Sequence, residues 1–242
     1  MGKSGNEQLT EPVKTLCEFD EISLNYEEVL SRGLSVSGEC SDYFAHKRVE
    51  HMAKLHASIN AKSETIMDYG SGTGGSVGHL LDAFNPKKLV ATDVSEKSLQ
   101  VLKKKYTSPK IKTKNVISND ALVSCDLCFC NGVFHHIIPD DREDAAKFVY
   151  DSLQSGGYFY FWENNPWNPA THWVMNKIPF DRKAVKISPL QAVKLLKKVG
   201  FEIKLIHYMF IFPRFLKILR PIERFTMRLP LGCQYLVLAH KN

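Results

Sequence analysis

The stretch IMDYGSGTGG, residues 66–75, constrains the fold more than any other part of the chain. Apolar residues run into Gly70, Gly72 and Gly75, spaced G-x-G-x-x-G, and the helix-like run SVGHLLDAF follows at 76–84. Glycines here let the backbone turn sharply and pass close under a ligand, because no Cβ stands in the way. Between a strand and a helix, that spacing marks a site for a nucleotide-bearing cofactor. Asp68 sets this loop apart. It stands just before the first glycine, where a strand feeding a pyrophosphate site would end in apolar residues.

The same strand-then-helix rhythm continues. KLVATDV (88–94) leads to SEKSLQVLKKKY (95–106), with Ser95 as N-cap and Glu96 in the first turn. A weaker strand near 111–117 is followed by DLCFCNG (126–132), the helix DREDAAKFVYDSL (141–153) and GGYFYFWEN (156–164). Then come the helix SPLQAVKLLKKVG (188–200), the strand FEIKLIHYMFIF (201–212), a basic helical insert at 213–228 and a last strand, CQYLVLAHKN. Such alternation predicts an α/β fold, a Rossmann-like doubly wound sheet with helices on both faces. Residues 1–16 read as a flexible tail and 17–60 as helical. SDYFAHKRVEHMAKLHASI has apolar residues at helical spacing, with Ser41 or Asp42 as N-cap. The cofactor domain is expected to occupy 61–242.

Several classes are disfavoured. The opening MGKSGNEQLTEPVK has no apolar segment of a signal peptide, and Asn6 breaks the myristoylation pattern. No apolar run nears the roughly 18 residues of a membrane span, so a cytoplasmic protein is expected. Of six cysteines, Cys125, Cys128 and Cys130 cluster in SCDLCFCNG, but no second ligand cluster accompanies them. They read as small apolar residues of a buried strand, and no metal site is predicted. The net charge of +6 is spread along the chain, which favours anionic ligands without indicating nucleic acid.

Asp93, ending the second strand in ATDVS, suits the two hydroxyls of a ribose, as found in NAD, FAD and S-adenosylmethionine alike. Asp68 favours the last. A carboxylate repels a pyrophosphate but attracts the sulfonium and α-ammonium of S-adenosylmethionine. DYGSGTGGS followed by ATDVS resembles the first two motifs of the class I S-adenosylmethionine-dependent methyltransferases. DLCFCNGVFHHI, LQSGGYFYFWE and LLKKVGFEI resemble the family's later landmarks, over roughly 60–212 and the final strand. The resemblance implies a mostly parallel sheet with an antiparallel last strand, and S-adenosyl-L-methionine as cofactor. It implies that Asp68, Gly70, Ser71, Gly72 and Gly74 shape the methionine end, that Asp93 holds the ribose and that Val94 packs on the adenine. Asn119 and Asp120 would sit near the adenine edge, and Asn131, Gly132 and Val133 would form the floor beside the methyl.

Methyl transfer from a sulfonium is an in-line displacement in which the protein mainly aligns the acceptor and excludes water. A base helps when the acceptor is a hydroxyl or a protonated amine. His135, His136 and Glu163 are the catalytic candidates, with His172 and Asp181 as weaker ones. Asn165 and Trp167, in NNPWNPATHW, suit an acceptor wall. Residues 17–60 are expected to lid the site, offering Tyr26, Tyr43 and Phe44. NGVF stands where amino-methyltransferases of nucleic acids carry an Asn/Asp-Pro-Pro-aromatic motif, so a small-molecule acceptor, O- or N-methylated, is expected and no nucleic acid. In the insert, Arg214, Lys217, Arg220, Arg224 and Arg228 recur every three or four residues, with Pro221 breaking it into two short helices. This stretch is either a solvated basic face over the sheet or a weak contact to an anionic membrane or lipid-linked substrate. Two other readings compete: a nicotinamide-dependent oxidoreductase, and a non-catalytic relative that binds the cofactor.

Overall fold

The computed structural model describes residues 26–117, 122–182 and 184–242. The apolar runs become strands β1 (Thr65–Tyr69), β2 (Lys88–Asp93), β3 (Ile111–Asn115), β4 (Cys125–Asn131), β5 (Leu153–Asn164), β6 (Glu202–Met209) and β7 (Gln234–His240). They form one sheet in the order β3-β2-β1-β4-β5-β7-β6. Pairings from β3 to β5 are parallel, and β7 runs antiparallel to both β5 and β6. Chain order reverses between β1 and β4. Ligands of open α/β sheets bind at the carboxyl ends of the strands flanking such a switch point.

Helices α1 (Tyr26–Leu34), α2 (Ser41–Ser58), α3 (Val77–Phe84), α4 (Glu96–Lys105), α5 (Arg142–Ser152), α6 (Pro169–Lys177), α7 (Pro189–Lys198) and α8 (Glu223–Thr226) surround the sheet. Strand side chains alternate between faces. On β4 and β5, Leu127, Phe129, Tyr160 and Trp162 join Val49, Met52 and Leu80 in one core. Cys128, Cys130, Phe159 and Phe161 join Ala146, Ala192 and Leu196 in the other. Both faces being covered explains why the central strands read as continuous apolar runs. The clustered cysteines are small core residues, and burial pushes the Cys128 and Cys130 thiols far above the usual range.

Element starts follow local chemistry. The Ser95 hydroxyl accepts from the Ser98 N–H, and Ser188 with Gln191 forms a full capping box on α7. At α2 the sequence expectation is corrected: Cys40 holds the N-cap position and no side chain caps the helix. Asp42 bonds instead to His79 on α3, 2.8 Å away. The insert differs as well. A 3-10 segment spans Arg214–Ile222 and its irregular torsion falls at Leu216, ahead of Pro221. Pro221 lies inside this 3-10 segment, one residue before its end at Ile222, which caps α8.

Strand β6 ends because Phe210 adopts φ +67. The carboxylate of Glu223 accepts from the successive N–H groups of Phe210, Ile211 and Phe212 at 3.3, 3.2 and 2.9 Å. One acid thus anchors the start of the insert. Glu223→Ala is expected to cost about 2–3 kcal/mol, since charge-assisted bonds to three N–H groups are lost together. Urea unfolding measures the cost, and limited trypsinolysis at Arg214 and Lys217 reports whether the segment loosens.

Candidate active site

At the end of β1 the backbone must leave the sheet without blocking it. Gly70, Gly72 and Gly74 take φ values of +74, +52 and +83. A Cβ at Gly70 would lie 2.3 Å from Val133 Cγ2, and one at Gly74 2.9 Å from Leu102. Gly75 has no positive φ and open space around it, so the third demanding position is Gly74. The N–H groups of Gly70 and Ser71 both donate to the Thr92 carbonyl, at 2.9 and 2.8 Å. Tyr106 braces the far side by donating to the Gly74 carbonyl at 3.0 Å.

Three cavities meet at this edge. One of about 250 Å³ runs past Gly72, Asp93, Val94, Ile117 and Val133. A second, about 190 Å³, is bordered by Asp68, Gly70, Ser71, Thr73 and Arg48. The largest, about 380 Å³, is lined by Tyr43, Phe44, His135, His136, Trp173 and Phe215 among others. Asn131 borders all three, and Gly132 and His136 border the first and the largest.

The first two cavities carry a consistent set of donors and acceptors. Asp93 is pre-oriented: its oxygens accept from Gly72 N–H at 2.8 Å and Ser95 N–H at 2.9 Å, leaving capacity for further donors. Asp68 is 2% exposed, and its Oδ2 has no hydrogen-bond partner among the described residues. Burial, and then the charge of Asp93, pushes its carboxyl up to about 7, against the pull of Arg48. Ser71 Oγ and Asn131 Oδ1 are likewise buried without partners among the described residues. Orphaned acceptors beside a glycine cradle fit a ligand that brings its own donors and positive charge. A pyrophosphate brings neither.

Comparison with known proteins agrees. Residues 67–161 match the family model described as "Methyltransferase domain". Over this region the chain is similar to S-adenosylmethionine-dependent methyltransferases. It is 26% identical over 149 residues to a malonyl-(acyl-carrier protein) O-methyltransferase of Marinomonas sp., covering 59% of this chain and 54% of that protein. It is also 26% identical to a carboxy-S-adenosyl-L-methionine synthase of Campylobacter concisus, over 65% of this chain and 66% of the relative. The chain thus spans little more than half the length of the first of these relatives. A SAM-dependent methyltransferase of Leishmania major shares the fold, with TM-score 0.67 and 13% identity over 99% of this chain and 87% of that one. The cofactor this similarity implies is S-adenosylmethionine, and the orphaned Asp68 and the Asp93 shelf fit it.

Beside the largest cavity, the loop after β4 and the end of β5 build a buried charge network. His135 Nδ1 lies 2.7 Å from Glu163 Oε2, and His135 Nε2 lies 3.3 Å from Asp181 Oδ1. Ionised carboxylates only accept, so both His135 nitrogens carry protons and the ring is an imidazolium. Burial opposes that charge, but Glu163 and Asp181 together outweigh it and raise the pKa well above the usual histidine range. Glu163 and Asp181 stay ionised for the reciprocal reason. His136 Nε2 also lies 3.3 Å from Asp181 Oδ1. Burial and the neighbouring His135 charge hold His136 below its ordinary value, so it is neutral at pH 7. Its Nε2–H is turned to Asp181. His135, His136 and Asp181 bring metal-capable atoms within 4.8 Å of one another.

The predicted residues separate accordingly. Gly70, Gly72, Asp93, Val94, Asn131, Gly132 and Val133 border the first cavity, and Asp68 and Ser71 the second. Gly74 shapes the loop without lining a cavity. Tyr43, Phe44, His135, His136 and Asp181 border the largest. Glu163 lines none of the three. It holds His135 from behind, accepting its backbone N–H at 3.2 Å as well. Asn165 is fully buried, donating to the carbonyls of Pro230 and Gly232 and accepting from Trp167 N–H. Trp167 is half exposed outside the cavities, and His172 bonds to the Pro166 carbonyl on the surface. Asn119, Asp120 and the Tyr26 side chain lie outside the described residues. The sequence reading left out Ile117, Ile137 and Trp173 as cavity residues, because isolated apolar residues carry no motif.

Two outcomes follow from this geometry. The folded pKa of Asp68 lies above its ordinary 3.8, so its contribution to apo stability is full below that value and lost as pH rises through about 7. Asp68→Asn should therefore raise apo stability at pH 8 by on the order of 2–4 kcal/mol, with little change at pH 4. Calorimetry of the same variant should find S-adenosylhomocysteine affinity reduced at least about tenfold through the lost charge-assisted bond. Asn165→Ala should cost about 2–3 kcal/mol in urea unfolding while moving that affinity less than about threefold.

Proposed function

We propose that this protein transfers the methyl group of S-adenosylmethionine to a hydroxyl of a small, largely apolar acceptor. One observation carries the reading: Asn131, Gly132 and His136 border both the ribose-side cavity and the apolar cavity of about 380 Å³. A nucleophile and a cofactor occupying these spaces would meet there, with a neutral histidine beside them.

When bound, the cofactor supplies a methyl already activated on a sulfonium. The chain's own residues do the rest. Asp68 would accept from the α-ammonium, and Arg48, which borders both the methionine-side and the acceptor cavities, would meet the α-carboxylate. Asp93 would hold the ribose hydroxyls, and Val94 and Ile117 would pack on the adenine. His136 takes the hydroxyl proton as the acceptor oxygen attacks, and Asp181 stabilises the imidazolium that results. Glu163 is a positioning residue, acting through His135. Helices α1 and α2 serve as a lid: Leu30, Tyr43 and Phe44 contribute apolar walls that exclude water. The apolar lining favours a small molecule over nucleic acid.

His136→Asn should lower kcat/KM by about 10²–10⁴ on acceptors found by screening apolar alcohols for S-adenosylhomocysteine release. Its affinity for S-adenosylhomocysteine should not change, and an unaltered rate would refute the base assignment. The pH profile adds a readout that a merely structural role would not move. Wild-type activity should fall on the acid side as His136 is protonated, below its ordinary value of 6.5.

A further inference from the structure

The insert after β6 exposes a surface that the transfer reaction does not use. Phe215, Ile218 and Phe225 are 79%, 84% and 73% exposed, with Ile222, Leu229 and Leu231 half exposed nearby in the chain. A soluble monomer rarely leaves an apolar patch of this kind open to water. The same segment carries Arg214, Lys217 and Arg224 on its exposed positions. Its one carboxylate, Glu223, is spent on the backbone of 210–212. Arg220 is turned inward, 2.9 Å from Glu39 and over the Tyr43 ring, and ties the insert to the loop before α2 and to α2 itself. The outward face is therefore apolar and cationic, with no acid to balance it.

The patch continues into the acceptor cavity. Phe215 and Trp173 both border that cavity, whose inner end holds His136 and Asp181. Trp173 is half exposed, with the Lys177 ammonium 4.3 Å from its ring. Amphipathic aromatic rings paired with lysine or arginine are the groups that settle at a lipid–water boundary. Protein–protein interfaces, in contrast, are depleted in lysine at their cores.

We propose that the Arg214–Leu231 face docks on an anionic lipid bilayer and that the acceptor is a hydroxyl-bearing amphiphile entering the cavity from it. Short basic amphipathic segments bind by sinking apolar side chains to the headgroup boundary while their cations meet anionic lipid. The mouth at Phe215 and Trp173 would then open onto the acyl region, and the polar head of the amphiphile would reach His136. The choice of acceptor rests on the methyl-transfer reading, but the docking does not.

The test is co-sedimentation of the full chain with phosphatidylcholine vesicles and with phosphatidylcholine–phosphatidylglycerol vesicles. Binding is expected on the anionic vesicles alone, and high salt should weaken it through screening. Ile218→Asp with Phe225→Asp, and separately Lys217→Glu with Arg224→Glu, should each lower the partition coefficient at least about tenfold. All four positions are exposed and none lines a cavity, so S-adenosylhomocysteine affinity in calorimetry should match wild type. Brominated lipid should quench tryptophan emission in the wild-type protein. Equal sedimentation with neutral and anionic vesicles, or none with either, overturns the proposal. A concentration-dependent dimer dissolved by the same substitutions also overturns it, and would assign the patch to a second copy. Loss of cofactor binding in wild type would instead count against the methyltransferase reading.

Discussion

The site depends on an interlock between two loops at the switch point. Strands β1 and β4 run side by side in parallel, Tyr69 opposite Cys130, and both chains must leave the sheet at the same edge. Gly70 and Gly132 do so with φ of +74 and +67. Val133, next along the second loop, fills the space where a Cβ of Gly70 would be. Each loop is therefore the other's packing surface. The cofactor cradle, the Asn131 junction and the histidine pair all hang from this contact, and a side chain at Gly70 would push them apart.

The protein treats its buried acids in opposite ways. Asp68 is held without a hydrogen bond to Oδ2 among the described residues, so its charge is costly until a cation arrives. Glu163 and Asp181, also buried, share an imidazolium and are ionised cheaply. The first arrangement suits recognition, because the ligand supplies what the fold withholds. The second suits pre-organisation, because the charges are already satisfied around the neutral His136. Both depend on exclusion of water, which lids from α1, α2 and the insert would provide.

That exclusion ties the amino-terminal helices to the segment between β6 and β7. Phe44 packs against Phe210 with ring centroids 5.0 Å apart, and Arg220 bridges to Glu39. The strained backbone at Phe210 is kept in place by Glu223. Elements far apart in sequence thus close one cavity, and the same clamp that seals its inner wall leaves the basic and apolar outer face of the insert unburied.

Strand-helix alternation, the glycine loop, Asp93 and the cysteine-bearing strand were legible because each is a local pattern whose period or residue type has one economical fold. Asp68 was legible too, since an acid before a glycine turn breaks the expected apolar ending. The family resemblance already pointed to Gly74, but only the tertiary structure showed why that glycine is demanded and Gly75 is not: a positive φ and a close approach to Leu102. The tertiary structure placed Asp181, 46 residues beyond His135, between the two histidines, and it removed Asn165 and Trp167 from the cavity. It also turned Arg220 inward out of an apparently uniform basic stripe. The division has a physical reason. Sequence periodicity specifies which face of an element is buried, whereas the partner of a buried charge is chosen by loops that meet only after the sheet has formed.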